Sequence, residues 1–167
     1  MKKRTKELVV AALIAAIYVA LCHFQNLLIP GSASYAIQFR AAEGLMVLAF
    51  FTPAAIPGLS LGCLLFNMSF AGALPLDIPV GTAATALSAW LMYATRKLTV
   101  KGCPVLGLMM PALFNGILVG WELDLYMGGG FWLNAAYVAI GELAVLLTLG
   151  NLLYFALKKR GLHSRLF

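Results

Sequence analysis

Long apolar segments, separated by short breaks rich in glycine and proline, constrain this chain more than any other feature. A bilayer core is about 30 Å thick, and a helix that crosses it needs about 20 mostly apolar residues. The sequence divides into six such segments, at about residues 7–28, 40–52, 55–71, 80–98, 104–122 and 131–157. Because 62% of the residues are hydrophobic, a soluble domain could not bury them all. The sequence therefore predicts an all-α integral membrane protein, one six-helix domain over residues 1–167 embedded in the lipid bilayer.

The basic residues predict how these helices are oriented. Eleven of the 12 Lys and Arg residues fall in three clusters. The clusters are Lys2, Lys3, Arg4 and Lys6; Arg96, Lys97 and Lys101; and Lys158, Lys159, Arg160 and Arg165. With six helices all three clusters lie on one side, which the positive-inside rule makes cytoplasmic. We therefore expect a multi-pass protein of the cell membrane with both termini cytoplasmic, and a net charge that anchors helices rather than binds nucleic acid.

Arg40 is the cation outside the clusters, and it stands three residues before Glu43 at the start of the short second segment. Residues at this spacing share a helix face, so the local interpretation is an ion pair that contributes about 0.3–0.5 kcal/mol if exposed. Because the segment is too short to span the bilayer without tilting, both side chains are expected below the outer surface. There the pair could instead serve a ligand, and the residues alone leave the two interpretations even.

A second acid lies in the middle of an apolar segment. Glu142 is about 11 residues into the sixth segment, which places it roughly 16 Å deep, near the middle of the bilayer. An acid there costs a few kcal/mol unless it is paired, protonated or facing a wet cavity. The alternatives are an interhelical hydrogen bond from a protonated side chain and a ligand pocket, and the depth favours the pocket.

Further polar residues recur at helical spacing in the outer halves of the predicted helices. Asn115 and Glu122 are seven residues apart on the fifth helix, and Ser60 and Asn67 repeat that spacing on the third. A single polar residue of this kind commonly holds helices together, whereas several that converge are typical of a cavity. Aromatic residues at the outer ends of the last two helices are expected mainly at the membrane interface, with one or two stacked on a flat ligand. These aromatic residues are Trp121, Tyr126, Trp132 and Tyr137.

Small residues form a smooth stripe on the first helix. Ala12, Ala16 and Ala20 recur at every fourth position, and small residues at that spacing let another helix approach closely in lipid. The stripe either packs inside this protein or docks a partner subunit, and composition alone favours internal packing. Gly58 and Gly62 make a similar pair on the third segment, which we assign to internal packing.

The sequence has no enzyme signature, since HExxH, P-loop and GxSxG patterns are all missing from it. The two histidines, His23 and His163, are remote from each other along the chain, so no metal site is expected. No catalytic residue and no cofactor are assigned. An intramembrane enzyme and an accessory membrane subunit without a ligand are therefore the weaker alternatives.

Three motifs carry a likeness to a known family: IQFRAAEGL at residues 37–45, FFTPAAIPGL at 50–59 and GCLLFN at 62–67. Together with Asp77 in the loop before the fourth segment, they resemble the QueT family. Members are substrate-binding S-components of energy-coupling factor (ECF) transporters, implicated in uptake of queuosine precursors. The likeness covers essentially the whole chain and is most specific over residues 37–82.

The resemblance implies a six-helix S-component fold with an outer pocket for a 7-deazaguanine, such as queuine or its aminomethyl precursor. It also implies an ECF module as partner, a transmembrane coupling subunit with two ATPases, that docks on Ala12, Ala16 and Ala20. One carboxylate matches the two adjacent N–H donors of a guanine edge, and a cationic amine calls for a second acid. The predicted ligand contacts are Arg40, Glu43, Asn67, Asn115, Trp121, Glu122, Tyr137 and Glu142. The nearest alternative is an S-component for another vitamin or small metabolite.

Overall fold

The computed structural model describes residues 2–32 and 39–159, and these residues form helices and no strand. In chain order the elements are α1 (Lys3–Leu28), a 3-10 helix (Ala41–Phe50), α2 (Ala55–Ser69), a π turn (Asp77–Gly81), α3 (Thr82–Ala94), α4 (Val105–Met127), α5 (Phe131–Val145), a π segment (Leu146–Gly150) and α6 (Asn151–Lys159). The predicted all-helical class is thereby confirmed for the described residues. Residues 33–38, in the connection between the first two predicted segments, lie outside the described residues, as do Arg160, His163 and Arg165.

Three helices in the described part of the chain are long and apolar enough to cross a membrane. They are Lys3–Leu28, Val105–Met127 and the continuous helix Phe131–Lys159, which contains α5, the π segment and α6. Two further apolar helices, Ala41–Phe50 and Ala55–Ser69, are shorter. Length and hydropathy together therefore support a membrane-embedded helical bundle.

The second predicted segment winds as a 3-10 helix rather than an α-helix. A 3-10 helix rises about 2.0 Å per residue instead of 1.5, so its ten residues extend about 20 Å where an α-helix would extend about 15 Å. Seven of the ten are buried, Glu43 among them. Because this helix contacts α1, α2, α3, α5 and α6, it lies at the centre of the bundle. Because of its 3-10 conformation, the short segment Ala41–Phe50 extends further across the bundle than an α-helix with the same number of residues would.

Helices α1 and α2 run parallel and in close contact. A Cβ atom added at Gly58 would lie 2.7 Å from the carbonyl oxygen of Ala11, and one added at Gly62 would lie 2.7 Å from the Cβ of Tyr18. Real side chains do not approach this closely, so only glycine permits this separation of the two helices. The internal packing assigned to these two glycines is what the structure contains.

The alanine stripe lies on a different face of α1. Ala12, Ala16 and Ala20 are exposed, whereas the neighbouring Ile14 and Ala15 are buried against the bundle. Packing within the described residues therefore does not cover the stripe. A groove of about 650 Å³ reaches it at Ala12, between α1 and the start of α2.

Two of the basic clusters meet at one end of the bundle. Lys158 Nζ, near the end of α6, donates a hydrogen bond to the carbonyl oxygen of Gly102 at 3.0 Å. Gly102 lies in the connection between α3 and α4, beside Lys101. Lys158 and Lys159 therefore share an end of the molecule with the basic residues of that connection.

Candidate functional site

Four charged side chains in or directly before the apolar helices are buried in the interior, in addition to Asp77 of the π turn. Arg40 is 7% exposed, Glu43 1%, Glu142 4% and Glu122 0%. The charge of Arg40 interacts electrostatically with all three carboxyl groups, and Glu43 interacts in the same way with Glu142. We refer to these four residues as the carboxyl cluster. Charged groups at this depth are costly unless they are paired, so the cluster requires an explanation beyond folding.

Glu43 is oriented by a side chain from α1. The hydroxyl of Tyr18 donates a hydrogen bond to Glu43 Oε1, and both side chains are buried. Tyr18 is itself held against α2 by the close approach at Gly62. The other oxygen, Glu43 Oε2, is buried and has no hydrogen-bond partner among the described residues. One oxygen is therefore held by the protein, and the other is a buried acceptor without a donor in the described residues.

Glu142 repeats this arrangement on α5. Asn115 Nδ2 of α4 donates to Glu142 Oε1 at 2.5 Å, while Glu142 Oε2 is buried without a partner in the described residues. The antiparallel α4 and α5 approach closely here, since a Cβ at Gly116 would lie 3.3 Å from that of Ala139. The interhelical hydrogen bond considered from the sequence is present, but Glu142 accepts it and needs no proton to do so.

Glu122 differs from the other two acids because neither of its carboxyl oxygens has a partner in the described part of the chain. Its side chain is 0% exposed. The nearby charges are Arg40 and Asp77, both of which act on it electrostatically. Asp77 is occupied locally, since its Oδ2 accepts a hydrogen bond from the backbone N–H of Leu74 at 2.7 Å. Glu122 is therefore the least compensated acid of the cluster.

Asn67 links α2 to the π turn beside the cluster. Its Nδ2 donates to the backbone carbonyl of Asp77 at 2.7 Å, and its Oδ1 is buried with no partner found in the described residues. A Cβ at Gly81 would lie 3.0 Å from Asn67 Nδ2, so the turn packs directly on the amide. Asn67 thus supplies one more buried acceptor.

The predicted aromatic contacts do not join the cluster. Trp121 is 47% exposed on the surface of α4, and Tyr137 is half-buried at the edge of the buried face of α5. The aromatic residues beside the charges are instead Tyr18, which holds Glu43, and Phe66, whose ring centroid lies 5.7 Å from the guanidinium carbon of Arg40. Phe66 in turn stacks on Phe70, with ring centroids 5.2 Å apart.

Sequence reasoning missed Tyr18 and Phe66 and left Asp77 out of the site. A signal for Tyr18 exists, because it is the only hydroxyl-bearing side chain between residues 8 and 22. Phe66 is one of ten phenylalanines and lies in the GCLLFN motif, but the other two quoted motifs contain phenylalanine as well.

The cluster is enclosed by the bundle, and the grooves on the described surface lie elsewhere. One is the groove beside Ala12, and another of about 470 Å³ runs between α4 and α5 with an apolar lining. In the described residues no group of three or more His, Cys, Asp and Glu side chains is arranged to hold a metal ion. The site is thus a set of buried hydrogen-bond acceptors around one guanidinium.

Comparison with protein families decides the class of this protein. The model of the QueT transporter family matches residues 8–159, a span that includes the whole carboxyl cluster. The chain belongs to the QueT transporter family. The resemblance found in the sequence is thereby confirmed, and family membership with the apolar helices indicates a membrane transport protein. No curated protein matches the chain, and no solved structure does.

Proposed function

We propose that this QueT family member is the substrate-binding membrane subunit, or S-component, of an ECF-type importer. Its proposed ligand is a queuosine precursor, a 7-deazaguanine such as queuine or its aminomethyl precursor. The observation that carries the proposal is the set of buried carboxyl oxygens without partners among the described residues. Unpartnered buried acceptors are costly, and a ligand rich in N–H donors removes that cost.

The guanine edge of such a ligand fits the two oriented glutamates. It presents adjacent N–H donors from the ring and from the exocyclic amine, which carboxylate oxygens accept well. Glu43 Oε2 and Glu142 Oε2 are both buried and unoccupied by protein donors in the described chain. We infer that these two oxygens share the edge of the ring, while Arg40 balances part of their negative charge.

We also propose that six segments cross the cell membrane, with both termini in the cytoplasm. The parallel course of α1 and α2, with the 3-10 helix between them along the chain, supports alternating passages. The contact of Lys158 with Gly102 supports one common end for two basic clusters, and the positive-inside rule assigns that end to the cytoplasm.

The alanine stripe is the proposed docking face for the coupling subunit of an ECF module that includes two ATPases. We expect Ala16→Leu to reduce uptake by cells at least about tenfold, because a leucine separates helices that approach each other across alanine. Ligand binding by the isolated subunit should not change. Measurements of uptake, of co-purification with the coupling subunit and of the ligand Kd test this directly.

The matched control for Ala16→Leu is Ala136→Leu, which adds the same bulk at an exposed alanine of α5. Normal uptake is expected for this variant. Equal loss of uptake in both variants would indicate a general effect of bulk on membrane insertion and would contradict a specific docking face.

A second prediction concerns the hydroxyl that orients Glu43. Tyr18→Phe should weaken binding of a 7-deazaguanine about tenfold, because a hydrogen bond to a charged group contributes about 1.5–3 kcal/mol. Isothermal titration of the purified protein gives the change in Kd. Tyr154→Phe is the control, since that hydroxyl contacts Lys158 at 3.5 Å, at the opposite end of the molecule. Equal affinity in wild type and Tyr18→Phe would show that Tyr18 does not orient the ligand-binding oxygen.

The function itself is tested by titrating purified protein in nanodiscs with queuine and with the aminomethyl precursor. We expect saturable binding and mutual competition between the two. Competition by an unrelated vitamin, with no response to 7-deazaguanines, would support the alternative of a different small-molecule substrate. A lack of saturable binding by any 7-deazaguanine would contradict the proposed substrate class.

A further inference from the structure

The buried charges of the cluster do not balance. Three carboxyl groups interact electrostatically with the charge of Arg40, and the buried Asp77 adds a fourth carboxyl group near Glu122. Glu43 and Glu142 each have one oxygen held by a protein donor, whereas Glu122 has none in the described residues. A neutral ligand could satisfy hydrogen bonds here, but each carboxyl group that stays ionised beyond the one balanced by Arg40 would keep an uncompensated charge in a low-dielectric interior.

We propose that Glu122 binds the ammonium group of the ligand, so that the protein selects positively charged 7-deazaguanines over uncharged ones. This inference rests on the function proposed above. Glu122 is buried and interacts electrostatically with Asp77 and Arg40. Neither of its carboxyl oxygens has a hydrogen-bond donor in the described chain. An ammonium group supplies both the missing donors and the missing positive charge.

The position of Glu122 on α4 suits the length of such a ligand. Asn115, which holds Glu142, is seven residues earlier on the same buried face of α4. Seven residues of α-helix rise about 10 Å, a separation comparable to the length of a bicyclic ring with a hydrogen bond at each end. Glu43 and Glu142 then take the guanine edge, and Glu122 takes the amine at the far side of the ring.

Selectivity tests this assignment better than affinity alone. The probes are two ligands with the same ring, one with an aminomethyl group and one with an uncharged nitrile in its place. Wild type should bind the aminomethyl ligand about tenfold or more tightly than the nitrile. In Glu122→Gln this preference should disappear, because affinity for the cation falls while affinity for the nitrile is retained. Calorimetric titration of the purified protein in nanodiscs measures both.

Two further variants make the result specific to the charge. Glu122→Asp keeps the carboxylate and should keep the preference for the cation. Asp124→Asn removes an acid two residues later on α4, where Oδ1 accepts from the backbone of Gly130, and should not change the ratio. Equal losses for both ligands in Glu122→Gln, or no preference in wild type, would overturn the ammonium subsite. If wild type binds neither ligand, the proposed function fails and this inference fails with it.

Discussion

Glutamine in place of Glu43 or Glu142 is expected to weaken binding of a 7-deazaguanine by about 10- to 100-fold in each variant. The reason is that hydrogen bonds to charged groups contribute about 1.5–3 kcal/mol, and glutamine has a neutral amide where the carboxylate was. Each acid has one buried oxygen free of protein donors among the described residues. The amide also introduces N–H donors opposite the N–H donors of the ligand, so the mismatch adds to the loss.

Equilibrium binding to the purified variants measures this effect, with Glu7→Gln as the control. Glu7 lies near the start of α1, outside the carboxyl cluster. If the two glutamates share one edge of the ligand, the loss in the double variant should be smaller than the sum of the single losses. Unchanged affinity in both single variants would exclude these residues from the site.

The thermal stability of Glu142→Gln without ligand provides a second test. Glu142 accepts a hydrogen bond at Oε1, but its Oε2 is buried without a donor in the described residues. Because burying such a carboxyl group costs stability, Glu142→Gln should raise the Tm of the ligand-free protein or leave it unchanged. A loss of affinity combined with an undiminished Tm would separate a role in binding from a role in folding. A large fall in Tm would instead indicate that Glu142 stabilises the bundle.

Two acids of the carboxyl cluster could be recognised in the sequence because charged residues are rare in membrane-spanning segments. In an apolar segment each carboxylate is costly, so Glu43 and Glu142 are recognisable without any knowledge of their neighbours. The breaks between segments are equally visible, since Pro53 and Pro57 bracket the start of α2. These features depend on residue type and spacing along one chain.

The partners of these acids could not be predicted in the same way. Tyr18 meets Glu43 across 25 residues, through the packing of α1 on the centre of the bundle. The 3-10 conformation of Ala41–Phe50 could not be predicted either. A helix that is buried on nearly all sides has no polar face, so its sequence shows no alternation of polar and apolar residues that would indicate the number of residues per turn. Its central position explains both the burial and the uniform hydrophobicity.

The prediction of Trp121 as a ligand contact illustrates a further limit. Trp121 and Glu122 are adjacent in α4, and neighbours in an α-helix are separated by about 100° around the axis. Because Glu122 is buried, its neighbour is turned toward the surface, where Trp121 is 47% exposed. Trp121 is predicted to contact the ligand because it lies among the aromatic residues at the outer ends of the last two helices, and this contact stays a prediction.

The largest effect on stability is expected for Gly62→Leu. A Cβ at this position would lie 2.7 Å from Tyr18 Cβ and 3.2 Å from Ala15 Cα, so α1 and α2 must separate. Overpacking of this kind typically costs about 1–3 kcal/mol, and occasionally more. Because Tyr18 holds Glu43, the same displacement should also impair ligand binding. Thermal unfolding and ligand titration of the purified protein measure the two consequences.

Ala16→Leu is the matched control for Gly62→Leu, since it adds comparable bulk on the exposed face of α1, next to Ala15. It should leave the Tm and the ligand Kd of the isolated subunit unchanged, although it is expected to reduce uptake in cells. The two variants thus distinguish the face of α1 that packs against α2 from the exposed face that is proposed to bind a partner. If Gly62→Leu unfolds at the same temperature as Ala16→Leu, the close approach of α1 and α2 does not limit stability, and Tyr18 must be held in place by other contacts.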